Sequence, residues 1–424
     1  MTALTRRQLT LATSPHPQAN RSFRYIIFVV LAGLVGSRTQ AQDSTLTRLV
    51  ERNHYSLTQN GPQFSGPGWE KLQHDIQISQ FVLVGEDHGM AQIPVFTTAV
   101  ARELKPAVYV SEVDEYQAHE VTRLAAQPGL PTAFERQHPG ALSFFSWAEE
   151  FELARYLRSQ QVILMGIEQV GGAFSGRLFE LLAAEVKSKP AKLYLQQRAV
   201  AYQARDRASM VGNTNTGTMS FLRQSGIDSL RSFTKMESPK VQKMVRDFVA
   251  SYTIYQAQRQ RTGGHQERIN LMKRNLLQGL QAYSLRPSQP FPKMLFKFGA
   301  SHMARNLSPW AGISDVGNLV TNLADAQDQK SLHIMIMGKQ GTQVAGENPD
   351  DFSKNVAPYS YAEEAYLKPF LPATNAAWNV VDLRPTRRAI LTDKLQVTNQ
   401  KLEAIILGYD YIVIIPETTA SHNY

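Results

Sequence analysis

Short apolar runs alternate with amphipathic stretches of helical period from residue 81 onward. The runs are rich in β-branched and aromatic residues, which is typical of buried strands. Strands separated by helices pair in parallel, so this alternation predicts βαβ units. The first part of it consists of predicted strands at 81–84, 107–110 and 162–165 and predicted helices at 92–104, 115–126 and 143–159.

The pattern changes between about residues 171 and 289, where long helical periods follow one another without a strand. This stretch is too long for an ordinary connection, so we interpret it as a helical insertion. Residues 42–75 are polar, with a turn-rich patch at 60–69, and predict one helix followed by a loop. The expected fold is therefore α/β, a largely parallel central sheet flanked by helices, in a single domain over 42–424. The remaining predicted strands are 294–298, 332–337, 378–381 and 411–415.

The first 41 residues have the features of an export signal. Arg21 and Arg24 precede an apolar run at 26–36, and residues 39–41 place small side chains at the two positions that specify cleavage. A membrane anchor is the alternative, but a span needs about 20 apolar residues, which is longer than this run. We expect an exported protein, periplasmic or secreted, that has no stable membrane span after cleavage.

Composition narrows the classes of function. The net charge of the chain is +9. Five arginines lie before residue 42, where there is no acidic residue, so the rest of the chain has a net charge of 9 − 5 = +4. A charge this small, without a Lys/Arg run, argues against nucleic acid as a partner. The chain has no cysteine, which excludes disulfides, thiolate nucleophiles and Cys-based metal sites. Nucleotide-binding fingerprints are absent as well.

Ionisable residues follow four of the predicted strands at the point where each strand ends. Glu86 and His88 follow the first strand, Glu112 the second, Glu168 the third, and His302 the strand at 294–298. The carboxyl ends of parallel strands lie at one edge of a sheet, where ligands bind. We therefore expect these five side chains to share one site, with the helical insertion covering one face of it.

The pair Glu86 and His88 suggests how such a site would work. The two residues point the same way on an extended segment, and a carboxylate beside an imidazole fixes its tautomer and raises its basicity. A general base that activates water needs both effects. The alternative is that Glu86 and His88 form an ordinary ion pair on the surface without a catalytic role. Glu112 and Glu168 each fit a metal ligand, a second base or a salt-bridge partner. His302 ends a nearly all-apolar strand, which favours a functional histidine over a structural one.

Several motifs along the chain resemble those of the erythromycin esterase-like family. The resemblance in order and spacing extends across about residues 78–420. These motifs are Gly85-Glu-Asp-His-Gly89, Glu112, Gly166-Ile-Glu168, Arg268-x-x-x-Met272-x-x-Asn275, Gly299-Ala-Ser-His302 and the closing Tyr409-Asp-Tyr-Ile-Val-Ile-Ile-Pro-Glu-Thr-Thr. The wider group with similar strand ends includes Tiki-type metalloproteases and haem-binding lipoproteins. This chain has one residue between Glu86 and His88, where the esterases usually have two.

The resemblance implies hydrolysis of an ester or lactone, in a small-molecule or envelope-derived acyl substrate, with His88 as the general base. Glu86, Glu112 and His302 would position the water and stabilise charge around it. Arg268 and Asn275 would orient the substrate or support the carboxylates. The shorter spacing in the first motif is closer to the wider group, so the resemblance does not identify a macrolide as the substrate.

Alternatives remain open at this point. In a metal-free mechanism His88 takes the proton from water and His302 stabilises the oxyanion. In a metal-dependent one, a divalent ion held by His88, His302, Glu86 and Glu112 lowers the pKa of bound water. We assign no cofactor and favour the metal-free route.

Two further functions compete with water activation. One is a serine hydrolase, because the predicted strand at 294–298 is followed by Gly299-Ala-Ser301-His-Met303. This segment lacks the second glycine of a nucleophile elbow, which weakens that hypothesis. A binding protein for haem or a similar envelope ligand, held through His302, Tyr109 or Tyr116, is the non-enzymatic alternative.

Overall fold

The buried apolar strands assemble into one large sheet. The computed structural model describes residues 44–284, 291–361, 365–371 and 377–424. The sheet order is β2-β1-β10-β11-β7-β3-β6-β4-β5, and β8 pairs with β9 separately. The strands are β1 (His54–Asn60), β2 (Gln63–Ser65), β3 (Phe81–Glu86), β4 (Val108–Ser111), β5 (Ile163–Gly166), β6 (Met294–Gly299), β7 (Ser331–Gly338), β8 (Gln340–Val344), β9 (Val356–Ser360), β10 (Trp378–Asp382) and β11 (Tyr411–Ile415).

Six neighbouring strands, from β11 across to β5, run parallel. Strands β10, β1 and β2 extend the sheet in antiparallel fashion. In the central register Glu86 lies opposite Gly299, and Ser111 lies opposite both Lys297 and Gly166. The predicted α/β fold with a largely parallel sheet is confirmed, and the carboxyl ends of β3, β4, β5 and β6 lie side by side.

Helices cover both faces of the sheet. One apolar core includes side chains of α2, α3, α4 and α6, and the other includes side chains of α1, α12, α13 and α15. The helices are α1 (44–52), α2 (Pro67–Gln77), α3 (Gln92–Leu104), α4 (Glu115–Ala125), α5 (Thr132–Gln137), α6 (Ala148–Ser159), α7 (Ser175–Glu185), α8 (Lys189–Val211), α9 (Thr218–Phe221), α10 (Gln224–Thr234), α11 (Pro239–Arg259), α12 (His265–Ser284), α13 (Val316–Asp325), α14 (Arg384–Leu391) and α15 (Gln400–Gly408).

Helices α7 to α11 build an apolar core of their own. Phe174, Phe179, Leu195 and Phe248 are among its fully buried side chains. Helix α12 leaves this group, and its residues Ile269, Met272, Leu276 and Leu280 pack on the sheet instead. The chain therefore returns from the helical segment to β6 along the face of the sheet.

The prediction for residues 42–75 is wrong in part. A helix is present at 44–52, but the chain then forms the β1–β2 hairpin before α2 begins at Pro67. Of the seven residues of β1 only Leu57 is fully buried, so the edge strand carries too few apolar residues to show a strand pattern. The predicted signal at 1–41 lies outside the described residues. In the part of the chain that the structure describes, no helix is both long enough and apolar enough to cross a membrane.

Candidate active site

The side chain of His88 is held on both of its ring nitrogens. Nδ1 lies 2.9 Å from Oε1 of Glu86, the last residue of β3. Nε2 lies 3.5 Å from Oε2 of Glu112, which directly follows β4. The ring also stacks on Phe144, with 4.3 Å between centroids and 18° between planes. Because two carboxylates and an aromatic face fix the imidazole, its orientation is set before any ligand binds.

Glu112 joins the two histidines of the site. Its Oε1 lies 3.4 Å from Nε2 of His302, while its Oε2 faces His88 and accepts the backbone N–H of Gly299 at 2.7 Å. Burial opposes ionisation of Glu112, but the charge of His302 and hydrogen bonds from both imidazoles outweigh it and hold the pKa of Glu112 well below its ordinary value. One ionised carboxylate thus bridges two imidazoles.

His302 lies in a 3-10 turn, residues Ala300–His302, that follows β6. Its Nδ1 lies 2.9 Å from Oδ2 of Asp315, a fully buried residue that also caps the N-terminus of α13. Burial disfavours its charged form, but Glu112 and Asp315 together raise the pKa of His302 to about 10. His302 is therefore a buried imidazolium at neutral pH.

The same competition of forces acts on His88. Burial lowers its pKa, but hydrogen bonds and charges from Glu112 and Glu86 outweigh that effect and raise the pKa of His88 to about 10. The side chain of His88 is 32% exposed, whereas that of His302 is 4% exposed. Of the two histidines, only His88 is open to water.

Helix α12 contributes Arg268 and Asn275 to the site. The guanidinium of Arg268 donates from Nε and Nη2 to Glu168 and from Nη2 to Glu112 at 2.8 Å. These carboxylates raise the pKa of Arg268 against the effect of burial. Asn275 donates from Nδ2 to the carbonyl of Ile167 at 2.9 Å. Arg268 thus ties the ends of β4 and β5 together, and Asn275 holds the backbone beside Glu168.

Sequence reasoning missed a buried charge cluster beneath the site. Lys297 projects from β6 and donates to Glu86 and to Glu150 of α6, and all three side chains are 3% exposed. Burial opposes ionisation of Glu86, but Lys297 and then His88 lower its pKa. Burial raises the pKa of Glu150. A lysine in an otherwise apolar strand was the only signal that could have pointed to this cluster.

The five strand-end residues predicted as one site do come together. His88 contacts both Glu86 and Glu112, His302 meets Glu112, and Glu168 joins them through Arg268. Close approach depends on glycine, since a Cβ on Gly299 would lie 3.0 Å from Nε2 of His88. The structure therefore places residues from the ends of four parallel strands around the partly exposed imidazole of His88.

Of the residues named for the alternative functions, the two tyrosines and Ser301 have other surroundings than His88. Tyr109 is fully buried, and the hydroxyl of Tyr116 donates to Asp247. Ser301 makes no hydrogen bond to a base within the described residues, although it lies beside His302 in the chain. Over the same part of the chain, no group of three or more His, Asp or Glu side chains is arranged to hold a metal ion.

No protein-family model and no curated protein sequence matches the chain. Solved structures of similar fold are known. A histidine-to-asparagine mutant of the erythromycin esterase EreC, in its open conformation, matches with a TM-score of 0.53 at 12% identity over 84% of this chain and 94% of EreC. The chain shares the fold of an erythromycin esterase.

Two further structures share this fold. A protein from Bacillus cereus matches with a TM-score of 0.56 at 13% identity, over 90% of this chain and 99% of its own. A succinoglycan biosynthesis protein matches with a TM-score of 0.54 at 10% identity, over 90% and 98%. The fold expected from the motifs is confirmed. The likeness to EreC at this identity is one of fold, and hydrolysis or ligand binding both fit it.

Proposed function

We propose that this protein is a hydrolase that cleaves an ester, lactone or related acyl bond with a water molecule activated by His88. The observation that carries the proposal is the double restraint of His88, by Glu86 on Nδ1 and by Glu112 near Nε2, at the solvent-facing end of four parallel strands. At 3.5 Å the contact with Glu112 is longer than a strong hydrogen bond, so a water can take its place at Nε2.

The remaining residues support this chemistry in different ways. Glu86 holds a proton on Nδ1, which leaves Nε2 of the neutral ring as the base. Arg268, with a side chain that is 21% exposed, is placed to stabilise negative charge that develops on the acyl oxygen. His302 reaches the water only through Glu112, so we assign it a positioning role.

We favour the metal-free route because of the chemistry of the donor atoms. Glu86 already accepts from Lys297 and His88, and Glu112 accepts from Arg268 and the N–H of Gly299. A divalent ion at these carboxylates would compete with the charges of Lys297 and Arg268. The pattern of charges supports a site built to hold ionised carboxylates without a metal.

The test is an assay of purified protein with a panel of activated esters, before and after treatment with a chelator. We expect His88→Gln to lower kcat/KM by at least about 100-fold, the usual contribution of a general base. The matched control is His119→Gln, which changes an exposed histidine on α4 and should leave activity unchanged. Hydrolysis that survives in both His88→Gln and His302→Ala would rule the proposal out, and loss of activity on chelation would favour the metal-dependent route.

A further inference from the structure

A separate cavity adjoins the His88 site. It has a volume of about 700 Å³, and Phe144, Trp147 and Tyr424 supply aromatic surface to its wall. Phe144 is also the ring that stacks on His88. The cavity and the proposed reaction centre therefore share one aromatic side chain, although none of the charged residues of the centre lines the cavity.

Glu135 leaves a carboxylate oxygen without a partner at this cavity. Its Oε1 accepts the backbone N–H of Gly140 at 2.7 Å. Its Oε2 is buried and has no hydrogen-bond partner within the described residues. An unsatisfied buried acceptor destabilises the folded protein, and more so when it is charged, so this oxygen favours a ligand that brings a donor.

Ser146 provides a second unsatisfied group in the same cavity. The residue is 6% exposed, and its Oγ has no hydrogen-bond partner in the described structure. The hydroxyl lowers the pKa of the Glu135 carboxyl as a hydrogen-bond donor does, but in the described structure Oγ of Ser146 and Oε2 of Glu135 are not in hydrogen-bond geometry. A carboxylate oxygen and a neighbouring hydroxyl, both without a partner among the described residues, can together accept hydrogen bonds from a ligand that has more than one N–H or O–H.

The charges around Glu135 favour a cation. Burial and then the neighbouring carboxylate of Glu347 raise the pKa of Glu135 to about 7. Arg207 lines the cavity but pairs with Asp350. Arg136 is exposed and forms no ion pair with Glu135 within the described residues. Two carboxylates, Glu135 and Glu347, thus line the cavity without a cationic partner among the residues that the structure describes.

We propose that this cavity binds a protonated primary or secondary amine, whose N–H groups are accepted by Oε2 of Glu135 and Oγ of Ser146. Aromatic faces attract cations as well as apolar groups, so Phe144 and Trp147 suit the carbon skeleton next to such an amine. An anionic ligand would meet two carboxylates, and a neutral apolar ligand would leave the Glu135 oxygen and the Ser146 hydroxyl without a partner. In an extension that rests on the proposed hydrolase function, the amine belongs to the substrate.

The experiment compares two probes of the same size, benzylammonium and benzyl alcohol, by isothermal titration calorimetry at about pH 8, above the pKa of Glu135. We expect the ammonium to bind at least about tenfold more tightly, the ratio typical of a hydrogen bond to a charged group. Glu135→Gln should remove that preference, and Ser146→Ala should reduce it. Glu185→Gln, which changes an exposed carboxylate of α7 outside the cavity, should preserve it.

Equal affinity for the two probes, no binding of benzylammonium, or an unchanged preference in Glu135→Gln and Ser146→Ala would overturn the proposal. Thermal unfolding of each variant identifies a folding defect, and Ser146→Ala still tests the site if Glu135→Gln does not fold. The binding measurement uses no ester, so it is independent of turnover. We expect His88→Gln to lose hydrolysis and keep the preference for ammonium, which separates failure of the two proposals.

Discussion

Of the five strand-end residues of the site, His88 has by far the most exposed side chain. Its side chain is 32% exposed, while Glu86, Glu112 and His302 are 3%, 8% and 4% exposed. The carboxylates that hold the ring also raise its pKa to about 10, so the neutral form that can accept a proton is scarce at neutral pH. In the proposed hydrolase, the contacts that orient His88 therefore also determine the pH range in which the enzyme is active.

A pH profile of kcat/KM tests this relation, because it reports the pKa of the essential base in the free enzyme. We expect kcat/KM to rise with pH, and the midpoint of this rising limb to lie above pH 6.5, the ordinary pKa of histidine being about 6.5. Glu86→Gln removes one of the charges that raise the pKa of His88, so its limb should move to lower pH. Lys297 keeps Glu150 as a partner in this variant.

The control for that profile is Glu152→Gln, which changes a carboxylate on α6 that is 52% exposed. Its limb should coincide with that of the wild type. A limb that stays in place in Glu86→Gln would show that another group, and not His88, is the base.

The chemistry of the site was easier to predict than the groups that support it. Glu86, His88 and Glu112 could be predicted because each follows an apolar strand, and strand ends of a parallel sheet converge. Asp315 and Glu150 could not, since both sit on helices and reach the site only through tertiary packing. Arg268 was singled out by motif, but its bond to two carboxylates appears only when α12 is placed against the sheet.

At the level of elements, the strand ends approach the segments that follow them very closely. A Cβ on Gly166, at the end of β5, would lie 2.3 Å from the carbonyl oxygen of Asp114. That oxygen belongs to the backbone at the N-terminus of α4, which is fixed by a capping box. The neighbouring backbone cannot easily move away, so there is no room for a side chain larger than that of glycine at this position.

We predict that Gly166→Ala lowers the free energy of unfolding by about 1–3 kcal/mol, the range for overpacking a well-packed site. The matched control is Gly172→Ala, where the nearest atom to an added Cβ is the hydroxyl of Tyr255 at 4.0 Å. Chemical denaturation of both variants gives the comparison. Equal stability of the two would contradict the argument from space.

The elements that the sequence predicted well are those buried on both faces. Strand β11 is apolar throughout and β3 is apolar up to its last two residues, so their pattern depends only on local residues. Strands β8 and β9 were missed because most of their side chains stay partly exposed and carry no continuous apolar run. The β1–β2 hairpin was missed for the same reason. Edge and surface strands form by pairing with a partner, which one segment of sequence does not reveal.

For the molecule as a whole, the raised pKa values link stability to pH. The pKa values of His88 and His302 rise from an ordinary value of about 6.5 to about 10 on folding. A group with a raised pKa stabilises the folded state fully below its unfolded pKa and loses that contribution as pH rises through the folded value. We therefore predict that Tm falls between about pH 6.5 and pH 10.

Thermal unfolding across this range measures the effect. His302→Gln should flatten the fall in Tm, because it removes one of the two groups, while His119→Gln should not. A Tm that stays constant or rises from about pH 6.5 to pH 10 would contradict the linkage, since both shifts have the same sign.

The contact between Lys297 and Glu86 joins residues that are 211 positions apart in the chain. Between them lie helices α7 to α11, which bury a separate apolar core through contacts among themselves. Contacts at short sequence separation form quickly, while closing a long loop carries an entropic cost that must be met first. We therefore expect the helical segment to gain structure early during folding, and the charged centre to form only when β6 inserts between β3 and β4.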